Sequence, residues 1–133
     1  MLFRSKAGYI EQVYLFRPLG DRTGRTTIAL RNKEGTRAAS ISYALKELPY
    51  LTLWKNTSAE ADGYVAGLEP GTNYPNNRRV EREAGRVPKL AAAGSHDMTL
   101  DIAIHNNRAL VEEVTRRIAD IQGNQQPIID KVK

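Results

Sequence analysis

Over roughly the first hundred positions apolar and polar residues alternate in short runs broken by Gly, Pro, Asn and Asp. Apolar residues then recur every three to four positions, a change from a strand period to a helix period. The alternating part predicts strands at residues 9–16, 26–31, 39–45, 51–55, 63–69, 86–90 and 97–105. Between them Pro18, Gly20, Asp21 and Gly24 form a loop, residues 32–35 turn back, and Pro49 interrupts the next pair, so the early strands read as a hairpin-like meander. The cleanest alternation is at 97–105, which points Met98, Leu100, Ile102 and Ile104 inward and Asp97, Thr99, Asp101 and His105 outward.

The helical period covers 109–122, where Leu110, Val111, Val114, Ile118 and Ile121 share one face, Asn106 or Asn107 caps the start and Gly123 stops the end. Glu112 with Arg116 and Glu113 with Arg117 stand four apart on the outer side, as a solvated face does. Residues 73–85 are too rich in Asn, Pro and Arg for a core element and read as a polar loop rimming a site, and 124–133 as a loose tail. No internal repeat or composition break divides the chain, so a single domain spanning 1–133 is expected, mainly β, an antiparallel sandwich with one C-terminal amphipathic helix.

Composition narrows the chemistry. The 133 residues include no cysteine, which removes disulfides and thiolate metal sites. Residues 1–6 do not make a secretion signal and no apolar run reaches the roughly 18 residues that would span a bilayer, so a soluble cytoplasmic protein with no membrane partner is expected. Asn56, Thr57 and Ser58 spell a glycosylation acceptor, a chance match in that setting. His96 and His105 are too far apart on one strand to share an ion, and the acids lack calcium-loop spacing, so neither metal nor cofactor is called for. The net charge of +5 raises nucleic-acid binding as a competing class. The arginines at 78–86 are interleaved with Glu81 and Glu83, however, and no stacked aromatic platform appears, which makes that the weaker reading.

The richest stretch for function is Gly67, Leu68, Glu69, Pro70, Gly71, Thr72 and Asn73. Pro70 and Gly71 end a short strand, which sets Glu69 at the strand end on the same side as Val65 and Gly67. A carboxylate beside a glycine, with amides and guanidinium groups following, suits a neutral, hydroxyl-rich ligand. A solvated acid leading into an ordinary turn has the same spacing.

The run from Tyr64 to Asn73, with Trp54 and Lys55 upstream and Asn76, Arg78, Glu81, Arg82, Gly85 and Arg86 downstream, resembles the C-terminal part of an uncharacterised family related to aldose 1-epimerase. A weaker likeness extends through Glu11, Gln12, Val13 and Tyr14 and to the strand end near Ile104. That family is similar to the galactose mutarotases. The resemblance implies part of a large β-sandwich that binds a monosaccharide in an open cleft, with the glutamate of a Leu-Glu-Pro motif, here Glu69, as general base in the interconversion of sugar anomers. The family's acid is a histidine contributed by earlier sequence, and neither His96 nor His105 matches it. A binding or structural remnant without turnover is therefore the alternative to an isomerase.

Around Glu69, Lys55 is a candidate donor to sugar hydroxyls, although its stem also suits a sheet surface, and Trp54 reads first as core. Glu11 reaches the same cleft in this reading or faces outward. Asn73, Arg78 and Arg82 supply directional bonds to hydroxyls or to an anionic substituent, unless the arginines join Arg79, Glu81, Glu83 and Arg86 in a salt-bridged surface. All-β sandwiches often run to about 200–250 residues as one domain, so the chain reads as a piece of one. Its open sheet edge would then be covered by a helix, by another chain or an upstream segment or, the favoured expectation, by a second copy of itself.

Overall fold

A computed structural model describes residues 4–129. In chain order the elements are β1 (Gln12–Phe16), β2 (Arg25–Arg31), β3 (Ala38–Ala44), β4 (Tyr50–Asn56), β5 (Val65–Gly71), α1 (Arg78–Glu83), β6 (Leu100–His105) and α2 (Arg108–Gln122), with a 3-10 turn at Glu60–Asp62. The chain is mainly β with one long C-terminal helix, as its patterning requires. It forms two compact units, one from residues 4–18 and 44–99, the other from 19–43 and 100–129.

The first unit holds a three-stranded antiparallel sheet in the order β1-β4-β5. Leu51 and Leu53 lie on one face of β4 and are buried, as is Leu48 just before it. The strands do not follow one another as a meander: β1 pairs with β4, because residues 17–24 are too long for a tight hairpin. The Asp21 carboxylate then collects the backbone N–H groups of Thr23 (2.8 Å) and Arg25 (3.0 Å), which starts β2 afresh.

Three further expectations change here. Pro70 does not end the strand: β5 continues through Gly71, with Pro70 opposite Leu51, because β5 is a sheet edge where a residue without an N–H is tolerated. The polar stretch 73–85 contains α1, capped by the Asn77 side chain accepting from the Arg79 N–H at 2.9 Å, and it buries Glu81 completely. Residues 86–90 form no strand, since Arg86 is drawn back to Glu81 and Pro88 removes a ladder donor.

The second unit holds a sheet in the order β2-β3-β6. The Asn32 side chain closes the β2–β3 turn by accepting from Thr36 (2.9 Å) and Arg37 (3.0 Å). Thr27 and Ser42 hydroxyls bond across the strands at 2.8 Å, Ser40 bonds His105 Nε2 at 2.8 Å, and Arg25 pairs with Asp101. Tyr43 is fully buried and its hydroxyl finds no partner among the described residues; burial pushes that phenol up to about 12. The predicted strand 97–105 starts only at Leu100, since His96 and Thr99 bond to Glu47 instead. Its apolar face is also not inward: Ile102 and Ile104 are 70% and 74% exposed. Alternation identifies two faces of a strand but not which one is covered, and β6 pairs on one side only, with β3.

Helix α2 agrees with its pattern. Asn107 caps it by accepting from the Leu110 N–H at 3.0 Å, Gly123 ends it at φ 56°, and Val111 and Val114 are buried where it packs on β2 and β6. Among the described residues neither Glu112–Arg116 nor Glu113–Arg117 closes to a salt bridge, as exposed pairs gain little by doing so. No described helix is long and apolar enough to cross a membrane. Residues 124–128 carry no regular structure and 130–133 of the expected loose tail, like 1–3 of the N-terminal segment, lie outside the described residues.

Candidate functional site

Directly paired residues in an antiparallel sheet point to the same face. The registers of β1-β4-β5 therefore stack Val13, Trp54 and Gly67 in one row and Leu15, Thr52 and Glu69 in the next, with Tyr50 and Gly71 beyond them. Glu11 precedes the first of these rows on the same alternation, and Arg17 extends the last. Thr52 is buried at the centre of the face, whereas Glu69, Val13 and Leu15 around it are exposed.

Glu69 leans along its own strand toward Trp54. A Cβ built on Gly67 would lie 2.3 Å from Glu69 Oε1, so the glycine vacates the space that the carboxylate occupies. Among the described residues no hydrogen bond or ion pair holds this carboxylate. Two oxygens free to accept, over a glycine and beside an indole, leave the acid available to a ligand.

Glu11 approaches the same indole from the opposite edge: its Oε2 accepts from Trp54 Nε1 at 2.9 Å. The bond fixes the ring's orientation, so Glu11 acts first as the support of Trp54. Trp54 is half-buried on the Glu69 face, and an indole held in this way presents an apolar plane suited to the C–H face of a sugar. Lys55 is on the other face, paired with Gln12 and Ala66, with its Nζ 5.2 Å from the Tyr9 ring centroid. The one-residue alternation that brings Trp54 to Glu69 takes Lys55 away from it.

Beyond Gly71 the chain reverses sharply, and a Cβ there would meet Asn73 O at 2.9 Å. Asn73 is occupied within this turn, donating to Tyr74 O at 2.6 Å and accepting from Thr72 at 3.3 Å. Tyr74 follows. Its ring packs on Tyr50 with centroids 4.6 Å apart, and its hydroxyl donates to Phe16 O at 3.3 Å, forming a wall at the Tyr50 end of the face. Arg78 and Arg82 lie one turn apart on α1, exposed and without an acid partner among the described residues.

The wall is held by a group that sequence reading took for surface. Glu81, fully buried, accepts from the Tyr74 N–H (3.2 Å), Asn76 Nδ2 (2.8 Å) and both Arg86 Nε and Nη2 (2.7 Å each). Chiefly through the Arg86 bonds, and against the cost of burial, its carboxyl is held down at about 2. Arg86 in turn lies 5.2 Å from the Tyr74 ring centroid. The expected mixed salt-bridged surface thus divides into this buried clamp and an exposed Arg79–Glu83 pair at 3.4 Å. A Glu and an Arg five apart around a short capped helix were the available signal for it.

The family described as Domain of unknown function (DUF4432) matches residues 2–104. The crystal structure of a candidate aldose 1-epimerase from Klebsiella pneumoniae is similar over 96% of this chain, with 36% sequence identity and a TM-score of 0.87. The chain spans 35% of the length of that neighbour. No curated protein matches.

Proposed function

Because the chain belongs to the family described as Domain of unknown function (DUF4432) and shares its fold with a candidate aldose 1-epimerase, we propose that it binds an aldose on the Glu69 face and interconverts its anomers. The observation that carries this reading is the unpartnered Glu69 carboxylate over Gly67, on an exposed sheet face beside an indole fixed by Glu11. Glu69 takes the proton of the anomeric hydroxyl. The bond from the anomeric carbon to the ring oxygen then breaks as that oxygen takes a proton from a water on the open face, the aldehyde turns, and the ring closes on its other face as the ring hydroxyl gives its proton back to water and Glu69 returns its own to the new anomeric oxygen. Trp54 covers the apolar side of the ring.

A binding-only reading is favoured by one specific observation. Neither histidine is on this face: His96 is bonded to Glu47 O at 3.2 Å, and His105 belongs to the other unit, bonded to Ser40. The two readings separate in exchange NMR of anomeric protons with several aldoses, backed by melting curves. Acceleration over buffer supports the isomerase. A sugar-induced rise in melting temperature without acceleration supports binding alone, and the absence of both removes the carbohydrate reading.

Gly67→Ala tests the geometry. The added methyl collides with a flexible carboxylate end rather than with backbone, and the strand tolerates alanine, so folding stability should stay within about 1 kcal/mol. Glu69 must swing aside, and anomer exchange should fall at least tenfold. An unchanged rate would mean that the position of this carboxylate is immaterial.

A further inference from the structure

We propose that the aldose taken by this face carries an anionic group, a phosphate or a carboxylate, at the end of its carbon chain remote from the anomeric centre, and that Arg17 grips it. The inference rests on the sugar reading above and specifies its substrate class.

The charges on the face are unevenly placed. Glu69 and Glu11 carry its acids, while two guanidinium groups lie over the tyrosine pair at the Tyr50 end. Arg17 Cζ lies 5.8 Å from the Tyr50 centroid, and Arg86 Cζ lies 5.2 Å from that of Tyr74. These two cations are not equivalent. Arg86 spends its charge on Glu81, to which it donates two bonds of 2.7 Å. Arg17 is exposed and has no carboxylate partner among the described residues, so its charge is uncompensated.

The Tyr50 ring supports the Arg17 guanidinium, and among the described residues none of its N–H groups is hydrogen-bonded, which leaves the fork available to a two-oxygen anion. A neutral hydroxyl uses only part of that fork. Distance agrees with this assignment. From the Glu69 row to the Arg17 row the sheet advances two strands of about 4.8 Å and two residues of about 3.4 Å, so the two Cα atoms are about 12 Å apart. Glu69 leans away from this row, over Gly67, so a ligand that bridges its carboxylate and the Arg17 guanidinium needs a terminal substituent beyond the sugar ring. Such a ligand keeps its anion away from both acids and its anomeric hydroxyl at Glu69.

The test compares glucose, glucose 6-phosphate and glucuronate, measuring dissociation constants by calorimetry and anomer exchange by NMR, with wild type, Arg17→Ala and Arg17→Lys. At low ionic strength at least one charged sugar should bind about ten- to a hundredfold more tightly than glucose, as expected for a hydrogen bond to a charged group. The ratio of charged to neutral affinity should collapse toward one in Arg17→Ala and recover in part in Arg17→Lys, which keeps the charge without the fork. A preference for the phosphate alone identifies an aldose phosphate, and for glucuronate alone a sugar acid. Equal affinities in wild type, or a ratio that survives Arg17→Ala, overturns the inference and leaves the sugar reading standing. If neither neutral nor charged sugars bind, the sugar reading itself fails and takes the inference with it.

Discussion

Glu69→Gln should lower anomer exchange by about 100- to 10,000-fold, the range associated with a positioned general base. The amide has nearly the carboxylate's shape and can still accept a hydrogen bond from a sugar hydroxyl, but it cannot take up the hydroxyl proton at neutral pH. Because Glu69 is exposed and engages no described side chain, the substitution should change folding stability by no more than about 0.5 kcal/mol. Rate and stability therefore part company, unlike the result for a structural residue. Binding of the sugar should persist, so KM should move far less than kcat. A variant that retains the wild-type rate would leave Glu69 as a bystander, and one that loses rate and melting temperature together would make it a structural acid.

The strand and helix periods were legible wherever local chemistry alone decided the outcome. The turn at Asn32, the cap at Asn107 and the stop at Gly123 all use side-chain or backbone bonds a few residues away, and all three elements appear where the pattern puts them. Pairing was less legible. Nothing between residues 17 and 24 announces that β1 will pair with a strand more than thirty residues later, because the partner of a strand is chosen by long-range packing. The exposed Ile102 and Ile104 carry the same lesson: their alternation is as clean as that of a core strand.

For the candidate site, the face shared by Gly67 and Glu69 followed from the period of two alone. Which neighbouring residue joined them did not, since it depends on the register between strands: Trp54 opposite Gly67 brings the indole in and sends Lys55 out. Glu81 was hidden for a different reason. Acids are mostly exposed, so an acid in a polar, arginine-rich stretch gives no sign of being buried until the chain has curled around it.

That clamp carries the largest expected effect on stability. Arg86→Met should lower stability by about 3 kcal/mol, since removing one partner of a buried ion pair leaves the other charge uncompensated. Glu81→Gln should cost less: the Arg86 side chain keeps 18% of its exposure and can turn to water, while the amide oxygen still accepts from the Tyr74 N–H. The pH dependence separates the cases further. In the wild type the Glu81 carboxyl is depressed from its ordinary 4.5 to about 2, so its contribution is present above pH 4.5 and is lost as the pH falls toward 2. Without Arg86 the largest cause of the depression is gone, and the bonds from Asn76 and the Tyr74 N–H are left to oppose desolvation, so less of the contribution remains to be lost on acidification. Urea midpoints should thus fall more steeply below pH 4.5 for the wild type than for Arg86→Met. Because Glu81 also holds the Tyr74 backbone, the variant should loosen the wall beside Tyr50, seen as faster amide hydrogen exchange at residues 73–76 while β1, β4 and β5 stay protected. A variant that matches the wild type in midpoint and in pH slope would show that Glu81 is solvated in solution and that the wall stands without it.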